Sequence, residues 1–160
     1  MYSQSITRTH RTLIVLALDR SGSMCEQIET PDGPRTKAEA VCEIANSLLF
    51  ELIERARRSD GVRDYYDIAA IGYSGAGIEP LLTEKWLLSV SELAQDEPRY
   101  TERLTIRTLP DGTQSLHRIK RPEWIRPNAA GETPMYALFC QVHDLVKAWC
   151  SDPRNRESFP

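Results

Sequence analysis

The sequence predicts an α/β fold on a mainly parallel central sheet, and three observations predict it. Thr12-Leu13-Ile14-Val15-Leu16-Ala17-Leu18 is apolar without alternation, the pattern of a strand covered on both faces. Val41, Ile44, Ala45, Leu48, Leu49, Leu52, Ile53 and Ala56 recur at helical spacing. Tyr65 to Tyr73, centred on Ile68-Ala69-Ala70-Ile71, then reads as a second strand. A right-handed crossover makes these two strands parallel neighbours and the first of them a central strand.

The remaining elements follow in order. Glu29-Thr30-Pro31-Asp32-Gly33-Pro34 reads as a polar linker, and Thr36-Lys37-Ala38-Glu39 as the capping box that starts the long helix. Gly61, after Ser59-Asp60, is placed to end that segment. Ile78 to Leu88 supplies a short edge strand before a small helix near Glu92. Leu104 to Leu109 and Gln114 to Ile119 alternate on either side of Pro110-Asp111-Gly112-Thr113, which predicts a β-hairpin insertion over about residues 99–126. The last helix carries Met135, Leu138, Phe139, Val142, Leu145, Val146 and Trp149 on one face, with Pro134 at its first position and Thr133 as its cap. Ser151 to Pro160 is polar, and no strand follows.

At 160 residues the chain has the size of a single domain spanning 1–160. Its 41% hydrophobic and 27% charged residues are those of an ordinary globular protein, which excludes disorder as the default. No apolar run approaches the roughly 20 residues of a membrane helix, and Met1-Tyr2-Ser3-Gln4-Ser5 lacks the features of an export signal, so the expected location is the cytoplasm. Cys25, Cys42, Cys140 and Cys150 stand far apart, which argues against zinc or a disulfide framework and for buried, reduced thiols. Net charge is only -3, but Arg99 to Arg126 holds seven Lys/Arg against Glu102, Asp111 and Glu123. His117, Arg118, Lys120, Arg121 and Trp124 mix cations with an aromatic, yet such a stretch is more often a solvated face than a nucleic-acid surface.

Chemistry concentrates in Asp19-Arg20-Ser21-Gly22-Ser23-Met24, at the C-terminal end of the first strand, where open α/β sheets place their ligands. One carboxylate and two hydroxyls spaced two apart are hard oxygen donors suited to a small divalent cation such as Mg2+, which also keeps several waters. The competing reading is a plain turn, since Asp, Ser and Gly favour turns through local hydrogen bonds.

The strand ending in Asp19-x-Ser21-x-Ser23, the long helix after it and the Gly131-x-Thr133-Pro134-Met135 loop opening a later helix together resemble a von Willebrand factor type A domain. The likeness is to bacterial cytoplasmic members associated with tellurium resistance and stress response. It covers roughly Thr12 to Cys150, with the hairpin as an insertion. The resemblance implies a Rossmann-like three-layer fold with helices on both faces of the sheet. It also implies a metal-ion-dependent adhesion site whose ligand positions are Asp19, Ser21, Ser23 and Thr133, holding Mg2+ or Mn2+. Thr133 therefore has two competing roles, metal ligand and helix cap. Against the family pattern the chain reads as the N-terminal part of such a domain, incomplete at its C-terminus, which implies an open edge on the first strand.

The function this implies is a protein-interaction module, not an enzyme, in which the cation accepts a Glu or Asp from a partner protein. The alternative is a structural fragment that pairs its open sheet edge with another chain or its own copy, with the metal loop idle. A metal-dependent phosphohydrolase ranks below both, because Asp19 lacks the second carboxylate two residues on that Asp-based phosphoryl transfer commonly shows. No Ser-His-Asp set or Gly-rich phosphate loop can be placed, and Trp86, Trp124 and Trp149 read as packing residues.

Overall fold

The computed structural model describes residues 6–7, 10–31, 33–108 and 112–155. In chain order the elements are β1 (Thr12–Asp19), a short 3-10 helix (Gly22–Cys25), β2 (Gln27–Thr30), β3 (Gly33–Thr36), α1 (Lys37–Ala56), β4 (Arg57–Arg58) and β5 (Gly61–Val62). There follow β6 (Tyr66–Ser74), β7 (Gly77–Pro80), β8 (Leu88–Ser89), α2 (Val90–Gln95), β9 (Arg99–Thr108), β10 (Gln114–Glu123) and α3 (Met135–Ser151).

β1 and β6 pair in parallel, from Thr12 opposite Tyr66 to Asp19 opposite Tyr73. Side chains on a strand alternate between faces, and this splits the core in two. Ile14, Leu16 and Leu18 join Ile68 and Ala70 beneath α1, α2 and Ile125. Leu13 and Val15 join Ala69, Ile71 and Tyr73 against Leu138, Leu145 and Trp149 of α3. The sheet thus carries helices on both faces. Leu49, Ile68, Ile71, Leu93, Ile125 and Val90 are the largest fully buried side chains, each contributing about 1.5–3 kcal/mol of transfer free energy.

The sheet is mixed rather than mainly parallel. β7 and β8 both join β6 antiparallel, on the edge away from β1. β7 follows β6 through the two residues Gly75-Ala76, and a connection that short returns only antiparallel. The expected edge strand over Ile78 to Leu88 is therefore two pieces, Gly77–Pro80 and Leu88–Ser89. Among the described residues β1 pairs with β6 alone and has no strand on its other edge.

The capping box of α1 forms as the sequence predicts, with the Thr36 hydroxyl accepting from the Glu39 N–H and the Glu39 carboxylate accepting from the Thr36 N–H. Ile44 and Leu48, counted on its apolar face, are exposed instead, at 70% and 36%. The supposed linker over 29–34 is the β2–β3 hairpin, with Gly33 at a φ of 106° that other residues rarely adopt. The predicted insertion hairpin forms within the expected span, and its strands run further from the turn than the alternating stretches, pairing Arg99 with Glu123 and Thr108 with Gln114. Leu109, Pro110 and Asp111 of its turn, Asp32 and Met1 to Ser5 lie outside the described residues.

Asn46 anchors the hairpin to α1. Its buried amide donates to the Ile125 carbonyl at 2.8 Å and accepts from the Trp124 and Ile125 N–H groups, each at 2.9 Å. Arg118 and Lys120 pair with Glu102, and Arg121 and Arg35 both pair with Glu43.

Candidate functional site

Three loops meet beyond the C-terminal ends of β1 and β6. The first carries Asp19 to Cys25, the second is the Gly75-Ala76 turn, and the third is the segment 129–133 leading into α3. Backbone bonds hold them together: Arg20 N–H to the Tyr73 carbonyl (2.9 Å), Ala130 N–H to the Arg20 carbonyl (2.8 Å) and Gly22 N–H to the Gly131 carbonyl (2.8 Å). Two glycines make the approach possible. A Cβ on Gly75 would lie 2.8 Å from the Glu132 nitrogen, and one on Gly131 would lie 2.8 Å from the Gly75 Cα.

Within the first loop, the Asp19 carboxylate accepts from the Ser21 N–H at 2.8 Å, which fixes the turn after β1. Ser21 then lies in extended backbone and precedes the 3-10 turn. Its hydroxyl sits 3.2 Å from that of Ser23. Ser21 is 3% exposed, whereas Ser23 lies at the surface. Tyr73 stands opposite Asp19 in the ladder, and burial, with the Asp19 carboxylate second, pushes its hydroxyl above the ordinary value.

Thr133 does not cap α3. The N-cap position is taken by Pro134, at φ -79° and ψ 63°, and no side chain caps the helix. The backbone reason is local, since the Met135 N–H donates to the Thr133 carbonyl and tightens the turn before the helix begins. The Thr133 side chain is exposed, two residues beyond the point where Gly131 touches the Asp19 loop. The fold thus brings Asp19, Ser21 and Ser23 into one cluster and sets Thr133 on the adjoining loop.

Sequence reasoning passed over Arg20. Its side chain crosses β6 at Gly72, where a Cβ would come within 2.7 Å of the Arg20 Cδ, and its guanidinium pairs with Glu79 on β7. The signals were Gly72 within an apolar strand and Gly75 and Gly131 in loops, since interior glycines mark close approach. Of the cysteines, all are free but only Cys42 is buried; Cys25, Cys140 and Cys150 are exposed. They lie in a loop and on the outer face and end of α3, which their wide separation in sequence could not reveal. Burial raises the Cys42 thiol above its ordinary value.

Among the described residues, His, Cys, Asp and Glu nowhere gather in threes as a metal-holding group. A cation at this loop would rest on hydroxyl oxygens, with Asp19 as the nearby carboxylate. A cleft of about 820 Å3 opens at the other end of the strands, but its carboxylates are committed. Asp67 takes Arg11 at 3.2 Å and the Trp149 indole at 2.9 Å, and Asp152 takes Arg154. Among the described residues no helix is long and apolar enough to cross a membrane.

These features define an α/β protein with a hydroxyl-rich loop cluster at the C-terminal ends of two parallel strands. Comparison with protein-family models, with curated proteins and with solved structures finds no match.

Proposed function

We propose that the chain is a metal-ion-dependent protein-interaction module of the von Willebrand A type. The observation that carries this reading is the 3.2 Å separation of the Ser21 and Ser23 hydroxyl oxygens beside the tethered Asp19 carboxylate. Adjacent ligands of an octahedral Mg2+ bound at about 2.1 Å stand about 3 Å apart, so the pair fits one such ion with little movement. Thr133, released from capping, is the candidate third hydroxyl. Asp19 holds the loop through the Ser21 N–H and places one negative charge near the hydroxyls.

When bound, Mg2+ or Mn2+ would supply an electrophilic centre that one nearby carboxylate leaves under-neutralised. The residues around it favour an acidic ligand over a cationic one, and the ligand proposed is a Glu or Asp side chain of a partner protein. The two loops bridged by Gly22 and Gly131 hold the donors in place, so little reorganisation is asked of the backbone.

The test is Mn2+ binding to the 160-residue chain, read by electron paramagnetic resonance, alongside Ser21→Ala and Ser23→Ala. The expected result is saturable binding that each substitution weakens at least about tenfold. An unaltered chain that binds no Mn2+ at millimolar concentration, or variants that bind as well as it does, would overturn the reading.

A further inference from the structure

We infer that the β9–β10 ribbon is a second docking surface for the partner of the candidate cation site, and that it takes an acidic segment of that partner. The inference rests on the proposed site for where the segment begins and on the ribbon for its charge. Residues 99–126 hold seven Lys/Arg against Glu102, Asp111 and Glu123, in a chain whose net charge is -3, so the remainder is acidic. Positive charge is thereby gathered on one appendage.

The ribbon is held at its base and open beyond it. Asn46 binds the backbone of Trp124 and Ile125, and Arg121 pairs with Glu43 on α1. Further along β10, Leu116, Arg118, Ile119 and Lys120 are all exposed. Successive residues of a strand point to opposite faces, so neither face of that stretch is covered. Arg118 and Lys120 share one carboxylate, Glu102, at 3.1 and 3.8 Å. Ion pairs this exposed contribute little, so carboxylates of a partner can replace Glu102 at slight cost. Exposed Tyr100, Leu116 and Ile119 stand among the cations and suit the mixed polar and apolar surface of a protein.

Position joins the ribbon to the candidate site. The N–H of Lys37, the first residue of α1, donates to the carbonyl of Glu26, which follows the Asp19 loop. Asn46, the anchor of the ribbon, lies about 14 Å further along the helix axis. About four extended residues of a partner cover that distance. Exposed Arg126 lies on the connection from the ribbon to the loop before α3, where Gly131 meets Gly22. A polypeptide offering a Glu or Asp to the cation therefore meets the ribbon with its next residues. A DNA duplex fits less well, because it is a stiff rod with a charge about every 1.7 Å, and α1 beside the ribbon exposes Glu39 and Glu51.

The probe is a fluorescently labelled oligoglutamate of about twelve residues, which spans about 40 Å when extended. Its anisotropy is followed against the 160-residue chain in Mg2+ and in EDTA. The titration is repeated with Arg118→Glu/Lys120→Glu, with Glu102→Gln and with Arg57→Glu, which reverses an exposed cation beyond the C-terminal end of α1. The charge reversal on the ribbon is expected to weaken peptide binding at least about tenfold. Glu102→Gln should tighten it, Arg57→Glu should leave it within about twofold, and Mn2+ binding should be the same in all of them. Failure of the unaltered chain to bind the peptide, binding that the charge reversal leaves unchanged, or tighter binding of a short DNA duplex would each overturn the inference. Glu102→Gln keeps the test decisive if the charge reversal disturbs folding, since binding that it fails to tighten also overturns the inference. Peptide binding equal in EDTA and Mg2+ but lost on charge reversal supports the ribbon surface and counts against the cation site alone. Mn2+ binding with no effect of the ribbon variants on the peptide does the reverse.

Discussion

β1 and β6 lie side by side in parallel, both apolar along most of their length, yet β6 is buried at Asp67 through Gly72 and again at Ser74, while β1 is buried only at Leu13 and Leu18. The difference is in their neighbours. β6 has β1 on one edge and β7 and β8 on the other, whereas β1 has β6 alone among the described residues. Helices cover both faces of both strands, so facial packing is not what separates them. Apolar composition therefore reports the environment a strand is suited to, and edge pairing decides how much of it is reached.

The most forceful way to break this comparison is to truncate one core residue in each strand. Ile71→Ala empties a fully buried site on β6 and should cost about 2–5 kcal/mol, against about 1 kcal/mol for Ile14→Ala on half-buried β1. Urea unfolding of both variants measures the two losses, and equal losses would mean that β1 is as well enclosed as β6. Next in size is Asn46→Ala, which strands three backbone groups at residues 124–125 and should cost about 2–3 kcal/mol. It touches neither strand. The contrast in amide protection between them should survive it, and its disappearance would show that the hairpin anchor, not edge pairing, sets the difference.

The smallest effect expected is electrostatic. Hydrogen bonds from the Arg154 side chain and backbone, ahead of charge attraction, lower the Asp152 carboxyl from 3.8 to about 2. A folded value below the unfolded one stabilises above the unfolded value and is lost as pH falls through the folded one, here from about 4 down to about 2. The group is solvent-exposed, so the change in unfolding midpoint over that window should be slight and should shrink further with added salt. Arg154→Ala should flatten it.

How far the sequence reveals this structure depends on whether local or distant partners decide each element. α1 was legible because Thr36 and Glu39 cap it locally, and β6 because its apolar run is unbroken. The β2–β3 hairpin was not, because its polar residues read as a linker and only the Pro31-Asp32-Gly33 sequence hinted at a turn. Among the described residues the outer edge of β1 is unpaired although its composition is that of a central strand, and that open edge was expected from the resemblance and not from the strand's own residues. At the candidate site, the clustering of Asp19, Ser21 and Ser23 follows from a five-residue stretch and was legible. The freeing of Thr133 was not, because it depends on Pro134 taking the N-cap position. Arg20 was missed since its contacts with Gly72 and Glu79 join residues far apart in sequence.

The proposed cation site joins the loop after β1 to the loop before α3. The most direct measurement is a 1H–15N correlation spectrum of the chain, recorded before and after addition of Mg2+. Dispersed peaks are expected, with shifts confined to residues 19–23, the neighbouring Gly75 turn and residues 131–133. A dispersed spectrum that ignores Mg2+, or shifts centred on the Asp67 and Asp152 end of the sheet, would contradict it.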